Sequence, residues 1–108
     1  MTKDAIFVRL VSMGADKAVV KFSGGGDEGF AQDPELYKDN VLLSRWSIDV
    51  DKDELGRALA KPIFDQFGSF AGDFSVYGAC IWTVADKKIM MSYDESEYVH
   101  HDVDVLGL

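Results

Sequence analysis

The stretch from Phe74 to Tyr93 constrains this chain most. Phe74–Val84 (FSVYGACIWTV) and Lys88–Tyr93 (KIMMSY) are dense in β-branched and aromatic residues, and only Ala85–Asp86–Lys87 separates them. Two β-rich runs joined by a short polar connection predict an antiparallel hairpin. The period of two sends Ile89 and Met91 to one side of the second run, and Met90 and Ser92 to the other.

The rest of the chain supplies elements to cover that hairpin. Thr2 caps a predicted helix over residues 3–13, in which Ile6, Phe7, Leu10 and Val11 share one face and Gly14 gives the stop. Lys17–Ser23 (KAVVKFS) is a predicted strand, broken by the glycine run that follows it. Phe30–Asn40, with its Pro and turn formers, is expected as a loop with a helical turn at Pro34–Tyr37. Val41–Asp49 alternates imperfectly and is expected as a strand.

A second helix follows, capped by Asp51 or Asp53. Leu55, Leu59, Ile63 and Phe67 recur at steps of four, broadened by Ala58 and Phe64. Pro62 interrupts the pattern, so the helix either kinks there or gives way to a second short one, and Gly68 ends it. A further extended piece spans Tyr98–Leu106. The order implies one α+β domain over residues 1–108, a mainly antiparallel sheet with two helices on one face and a C-terminal hairpin.

Composition narrows the function. The 108 residues carry 19 Asp plus Glu against 11 Lys plus Arg, a formal charge of −8. Such a surface lacks the cations that grip phosphates, so no direct contact with nucleic acid is expected. Cys80 is the single cysteine, which excludes an internal disulfide and a cysteine zinc cluster. No segment has the ~20 apolar residues that cross a bilayer, and Met1–Asp4 does not open a secretory leader. A cytoplasmic, reducing setting without membrane contact is the expectation.

Signatures of a reaction are missing. Gly24, Gly26 and Gly29 match the dinucleotide spacing, yet Asp27 and Glu28 stand where a pyrophosphate would lie and no helix is predicted next. The glycines are better explained by a tight turn or bulge. Asp49, Asp51 and Asp53 alternate as in a calcium loop, but Glu54 replaces the turn glycine. Helix capping and a solvated turn account for them. His100 and His101 are adjacent, so they cannot act together as a zinc pair on one face, even with Asp102 and Asp104 nearby. No serine sits in a Gly-x-Ser-x-Gly turn, and Cys80 lies mid-strand as a small buried hydrophobe. The expectation is a protein that is not an enzyme and uses no cofactor or metal.

Charge placement is more informative. Asp27, Glu28, Asp33 and Glu35 lie in a stretch without a base, as do Asp94, Glu95, Glu97, Asp102 and Asp104 after Lys88. The turn from Asp49 to Glu54 adds four acids against Lys52. If these segments converge, they make a negative field that steers cationic partners. Phe30, Tyr37, Tyr93 and Tyr98 stand among them, and aromatic residues are favoured interface anchors. The expected contacts are Asp27, Glu28, Asp49, Asp51, Asp53, Asp94, Glu95 and Glu97, with Tyr93 and Tyr98 as anchors. The partner is a basic protein or nucleoprotein complex. The alternatives are a ligand- or metal-binding domain built on glycine loop 24–29, and a homodimer through an exposed hairpin edge.

Val19–Gly29 (VVKFSGGGDEG) resembles the strand-then-Gly-x-Gly-Asp-x-Gly segment of an uncharacterised family of small bacterial and mobile-element proteins. Asp53–Phe67, Phe74–Gly78 and Ile81–Tyr93 are similar to that family in order and spacing. Where the family carries further glycines and Asn before the hairpin, this chain has Gly72–Asp73–Phe74. The resemblance implies no known activity. In composition the chain is also similar to phage-encoded inhibitors of bacterial defence, anti-CRISPR proteins among them. That similarity implies occupation of a Lys/Arg-rich nucleic-acid channel by mimicry of phosphate charge.

Overall fold

The computed structural model describes residues 1–25, 28–67, 75–95 and 99–105, with backbone alone at Glu28 and Val99. Thr2 does cap α1 (Lys3–Ser12), its Oγ1 accepting the Ala5 N–H at 3.1 Å. Ile6, Phe7 and Leu10 form the buried side of α1. β1 (Lys17–Gly25) then alternates, with Ala18, Val20 and Phe22 buried and Lys21 exposed. Its last two residues are glycines, and Gly25 has φ +149°, which side-chain-bearing residues rarely adopt.

Residues 30–40 depart from the expected loop. β2 (Glu28–Ala31) and β3 (Glu35–Lys38) both pair antiparallel with β1, opposite Phe22–Gly25 and Lys17–Val19 respectively. Between them the Gln32 N–H still reaches the Lys21 carbonyl at 2.8 Å. The unpaired side of a nine-residue strand needs hydrogen-bond partners, and that demand overrides the weak β propensity of EGFA and ELYK. Pro34, which has no N–H to give, falls in the gap.

Asp39 and Asn40 have φ +51° and +64°, the two left-handed residues of a tight hairpin turn into β4 (Val41–Leu42). The strand expected over Val41–Asp49 stops at Leu42. From there side chains direct the path: Trp46 Nε1–H and Arg45 Nη2–H both donate to the Met13 carbonyl, at 2.9 and 3.1 Å. The segment is thereby pinned to the end of α1, and Ile48 and Val50 turn into the core.

Helix α2 (Glu54–Phe67) runs through Pro62 as one element. The proline has no N–H for the Ala58 carbonyl, and in the same turn the Leu59 carbonyl accepts the indole N–H of Trp82 at 3.0 Å. Trp82 also meets Phe7 edge to face at 5.7 Å, so α1 and α2 cover the same face of the sheet.

β5 (Ser75–Thr83), β6 (Lys88–Glu95) and β7 (Val99–Asp104) complete the sheet. The predicted hairpin is β5–β6, though its connection is Val84–Lys87, closed by Lys87 at φ +51°. Among the described residues the sheet is seven-stranded and antiparallel throughout, ordered β4-β3-β1-β5-β6-β7, with β2 also on β1. The fold is α+β, as expected. Register stacks Ala18 beside Trp82, Val20 beside Cys80 and Cys80 beside Met91 under the helices. Burying Trp82 alone contributes roughly 3 kcal/mol. Burial also pushes the Cys80 thiol up to about 12, so it packs as a small apolar group.

Candidate functional site

The same register that buries one face of the sheet leaves the other without a covering helix among the described residues. Val19 and Lys21 of β1, Tyr77 and Ile81 of β5, and Met90, Ser92 and Asp94 of β6 lie on this open face. Phe30 joins them through its pairing with Ser23. Tyr77 and Phe30 are 62% and 61% exposed, unusual for aromatic residues with nothing to do.

Charge divides the open face in two. Near β1 the ions cancel: Lys21 Nζ stands 3.2 Å from Glu35, and Lys17 lies over the Tyr37 ring and bonds to Asn40. At the β6–β7 end His100 projects between two carboxylates. Its Nδ1 is 2.7 Å from Asp94 Oδ1, and its Nε2 is 3.1 Å from Asp102 Oδ1. Asp104, opposite Met90, extends the same row.

These contacts set the protonation of the group. Hydrogen bonds to Asp94 first, and to Asp102 second, hold the His100 pKa above its ordinary value. The Ser92 hydroxyl, and then His100, hold Asp102 below the usual carboxylate range. Tyr77 also donates to Asp94, which raises the phenol, with the Asp94 charge adding to the effect. Ser92 Oγ lies 3.5 Å from His100 Nε2, so Ser92, His100 and Asp94 follow one another in space. When protonated, the ring donates from both nitrogens and has no lone pair to take the serine proton. The arrangement is a histidine clamp across β6 and β7, and it leaves the cluster net negative.

The turn before α2 uses its acids differently. Asp49 Oδ1 accepts the N–H groups of Asp51 and Lys52 at 2.8 and 2.9 Å, and those bonds, Lys52 first, lower its pKa. Asp53 stands at the expected cap position, its carbonyl accepting the Arg57 N–H at 2.9 Å, while its Oδ2 accepts the Asp49 N–H at 2.8 Å. Asp33 does the same for the Val50 N–H at 2.9 Å. Arg57 closes the turn by donating to the carbonyls of Asp51 and Lys52. A groove of ≈540 Å³ beside this turn mixes Asp51 and Glu54 with Arg57 and Lys61, so it offers no single sign of charge. Asp49, Asp51 and Asp53 belong to the helix layer, and Asp94 to the opposite face of the sheet. The structure does not bring these groups together.

No protein-family model, no curated protein and no solved structure matches this chain.

The other expected contacts divide as follows. Glu95 has the parity of the helix side, where its carboxylate lies 3.5 Å from His101 Nε2. Tyr93, expected as an anchor, faces the core instead: it is 6% exposed, edge-on to Phe67 and stacked on His101 at 5.0 Å. Its pairing with Gly78 explains this, because the glycine leaves the space that the Tyr93 backbone and Cβ occupy. Asp27, Glu97, Tyr98 and the side chain of Glu28 lie outside the described residues. Among the described residues, Gly24, Gly25 and Gly29 lie in strands β1 and β2, and no helix follows that would complete a dinucleotide fingerprint. Sequence reasoning missed His100, Asp102, Asp104 and Tyr77 as one surface. The signal was present, since a period of two through 100, 102 and 104 puts all three on one side of a strand.

Proposed function

We propose that this chain is a binding module for a basic protein surface, with its contacts at the β6–β7 end of the open face. The observation that carries this is the row Asp94, Asp102 and Asp104 on adjacent strands, beside the exposed ring of Tyr77. Carboxylates fixed on strands are preorganised, so a cationic partner does not have to order them on binding. The net charge of −8 adds a long-range attraction for the same partner. In its most concrete form the module is an inhibitor that occupies a nucleic-acid channel, as expected from its likeness in composition to anti-defence proteins. The turn acids Asp49 and Asp53 are spent on backbone N–H groups and are left out of the contact.

Affinity purification from the native host, followed by binding of the purified pair, tests this. The expected partner is basic, and its binding weakens steeply as salt rises from about 0.05 to about 0.5 M. Asp102→Lys with Asp104→Lys abolishes binding while Asp51→Lys leaves it intact. An acidic partner, or binding indifferent to both salt and the double substitution, overturns the reading.

A further inference from the structure

Among the described residues the open face ends at β7, the last strand of the sheet, and its main chain defines what can sit there. The Val105 N–H donates to the Ile89 carbonyl at 2.9 Å. Antiparallel ladders alternate bonded and non-bonded pairs, so Val103–Met91 and His101–Tyr93 are bonded pairs too. His100, Asp102 and Asp104 therefore turn their N–H and C=O groups outward, away from β6. No hydrogen bond among the described residues uses those outward groups. The residues with unpaired main chain are thus the ones whose side chains carry charge onto the open face.

We infer that β7 takes up an extended, basic strand by antiparallel sheet addition, with Lys or Arg opposite Asp102 and Asp104. This deepens the binding reading above and rests on it. A strand added here would form bonded pairs with residues 100, 102 and 104. Directly opposed side chains stand on the same face with Cβ atoms roughly 5 Å apart, within reach of an ion pair. The carboxylates of Asp102 and Asp104 thus select cations at alternate positions, and His100, its ring held between Asp94 and Asp102, selects a neutral polar residue. The intervening positions fall beside His101, Val103 and Val105 on the helix side, where Val103 is 38% exposed, and these select apolar residues. Read from its N-terminus, the added strand is apolar, basic, apolar, basic, apolar, polar. A second copy of this chain fits less well, because −8 meets −8.

The probe is an acetylated, amidated hexapeptide, Val-Lys-Val-Arg-Val-Thr, followed by fluorescence anisotropy and by amide hydrogen exchange of the full chain. Binding at concentrations up to about 1 mM is expected, with exchange slowed at the amides of His100, Asp102 and Asp104. Methylating the backbone nitrogens of the peptide Lys and Arg removes donors to the Asp104 and Asp102 carbonyls, and weakens binding about tenfold or more. Methylating the valine nitrogens, which point away from β7, leaves binding nearly unchanged. Equal binding by both methylated forms overturns strand addition while the charge-based reading stands. No binding by any form also overturns it, and the salt and charge-reversal measurements judge the broader reading separately. Self-association by sedimentation that the peptide does not disperse, with the amides of His100, Asp102 and Asp104 protected by dimer formation, assigns the edge to a second copy and overturns the basic strand.

Discussion

Two acidic regions of this molecule look alike in sequence and behave differently in the fold. Asp49–Glu54 packs four acids into six residues, and Asp94, Asp102 and Asp104 are spread over eleven. In the turn, Asp49 and Asp53 accept main-chain N–H groups, and their charge offsets exposed backbone dipoles. In the hairpin, strand register aligns the carboxylates side by side, and the His100 ring bridges two of them. The denser run is therefore structural, and the sparser one makes the surface. Counting acids along a chain measures neither outcome; what matters is whether the backbone nearby has donors left to give.

If this contrast is sound, substitutions in the turn should cost stability and neutralising Asp104, at the end of the β7 row, should not. The largest effect is expected from Gly56→Ala. A methyl there meets the Asp49 carbonyl oxygen, and lies 2.9 Å from Asp49 C and 3.0 Å from Val50 Cα. Backbone cannot yield cheaply, so denaturant unfolding should show a loss of roughly 3 kcal/mol. Asp53→Ala strips the Asp49 N–H of its partner and should cost about 1 kcal/mol in the same measurement. A neutral result there would break the comparison.

The hairpin is sharpened by pH. His100 has its pKa raised in the folded state, so its stabilising contribution is complete below the ordinary histidine value. That contribution is lost as pH rises through the raised value. Ring titration by NMR should place the midpoint above that of an ordinary histidine, and Asp94→Asn should bring it down. A His100 midpoint unmoved by Asp94→Asn would remove the clamp. The smallest effect belongs to Asp104→Asn, which should change unfolding by no more than about 0.5 kcal/mol. A larger loss would mean that the row on β7 is structural after all.

Sequence pattern showed much of the fold and little of the site. The β5–β6 hairpin was legible because both of its runs are strongly β-forming, and the Leu55–Phe67 stripe because its period survives Pro62. β2 and β3 were illegible from their own residues, since their reason to exist is the unpaired side of β1. The Asp39–Asn40 turn was the available clue to that hairpin. Val41–Asp49 misled in the other direction: its apolar residues fit a strand, but Arg45 and Trp46 answer to the Met13 carbonyl, some thirty residues earlier. For the site, local composition marked the acids and could not say which face of the sheet each would take. That depended on pairings such as Asp94 with His100, which no short window contains.

Cys80 sits at the centre of the sheet, fully enclosed, with its thiol held protonated far above neutrality. Alkylating reagents attack only the thiolate, so the side chain stays silent while β1, β5 and β6 remain zipped. Each modification event then counts one rupture of the central strands, and the reaction rate is a clock for the deepest opening the molecule undergoes. Because the thiol lies beneath the helices and the acids of β7 lie on the far side, that clock should run at the same pace when Asp104 is neutralised and faster when Gly56 is filled.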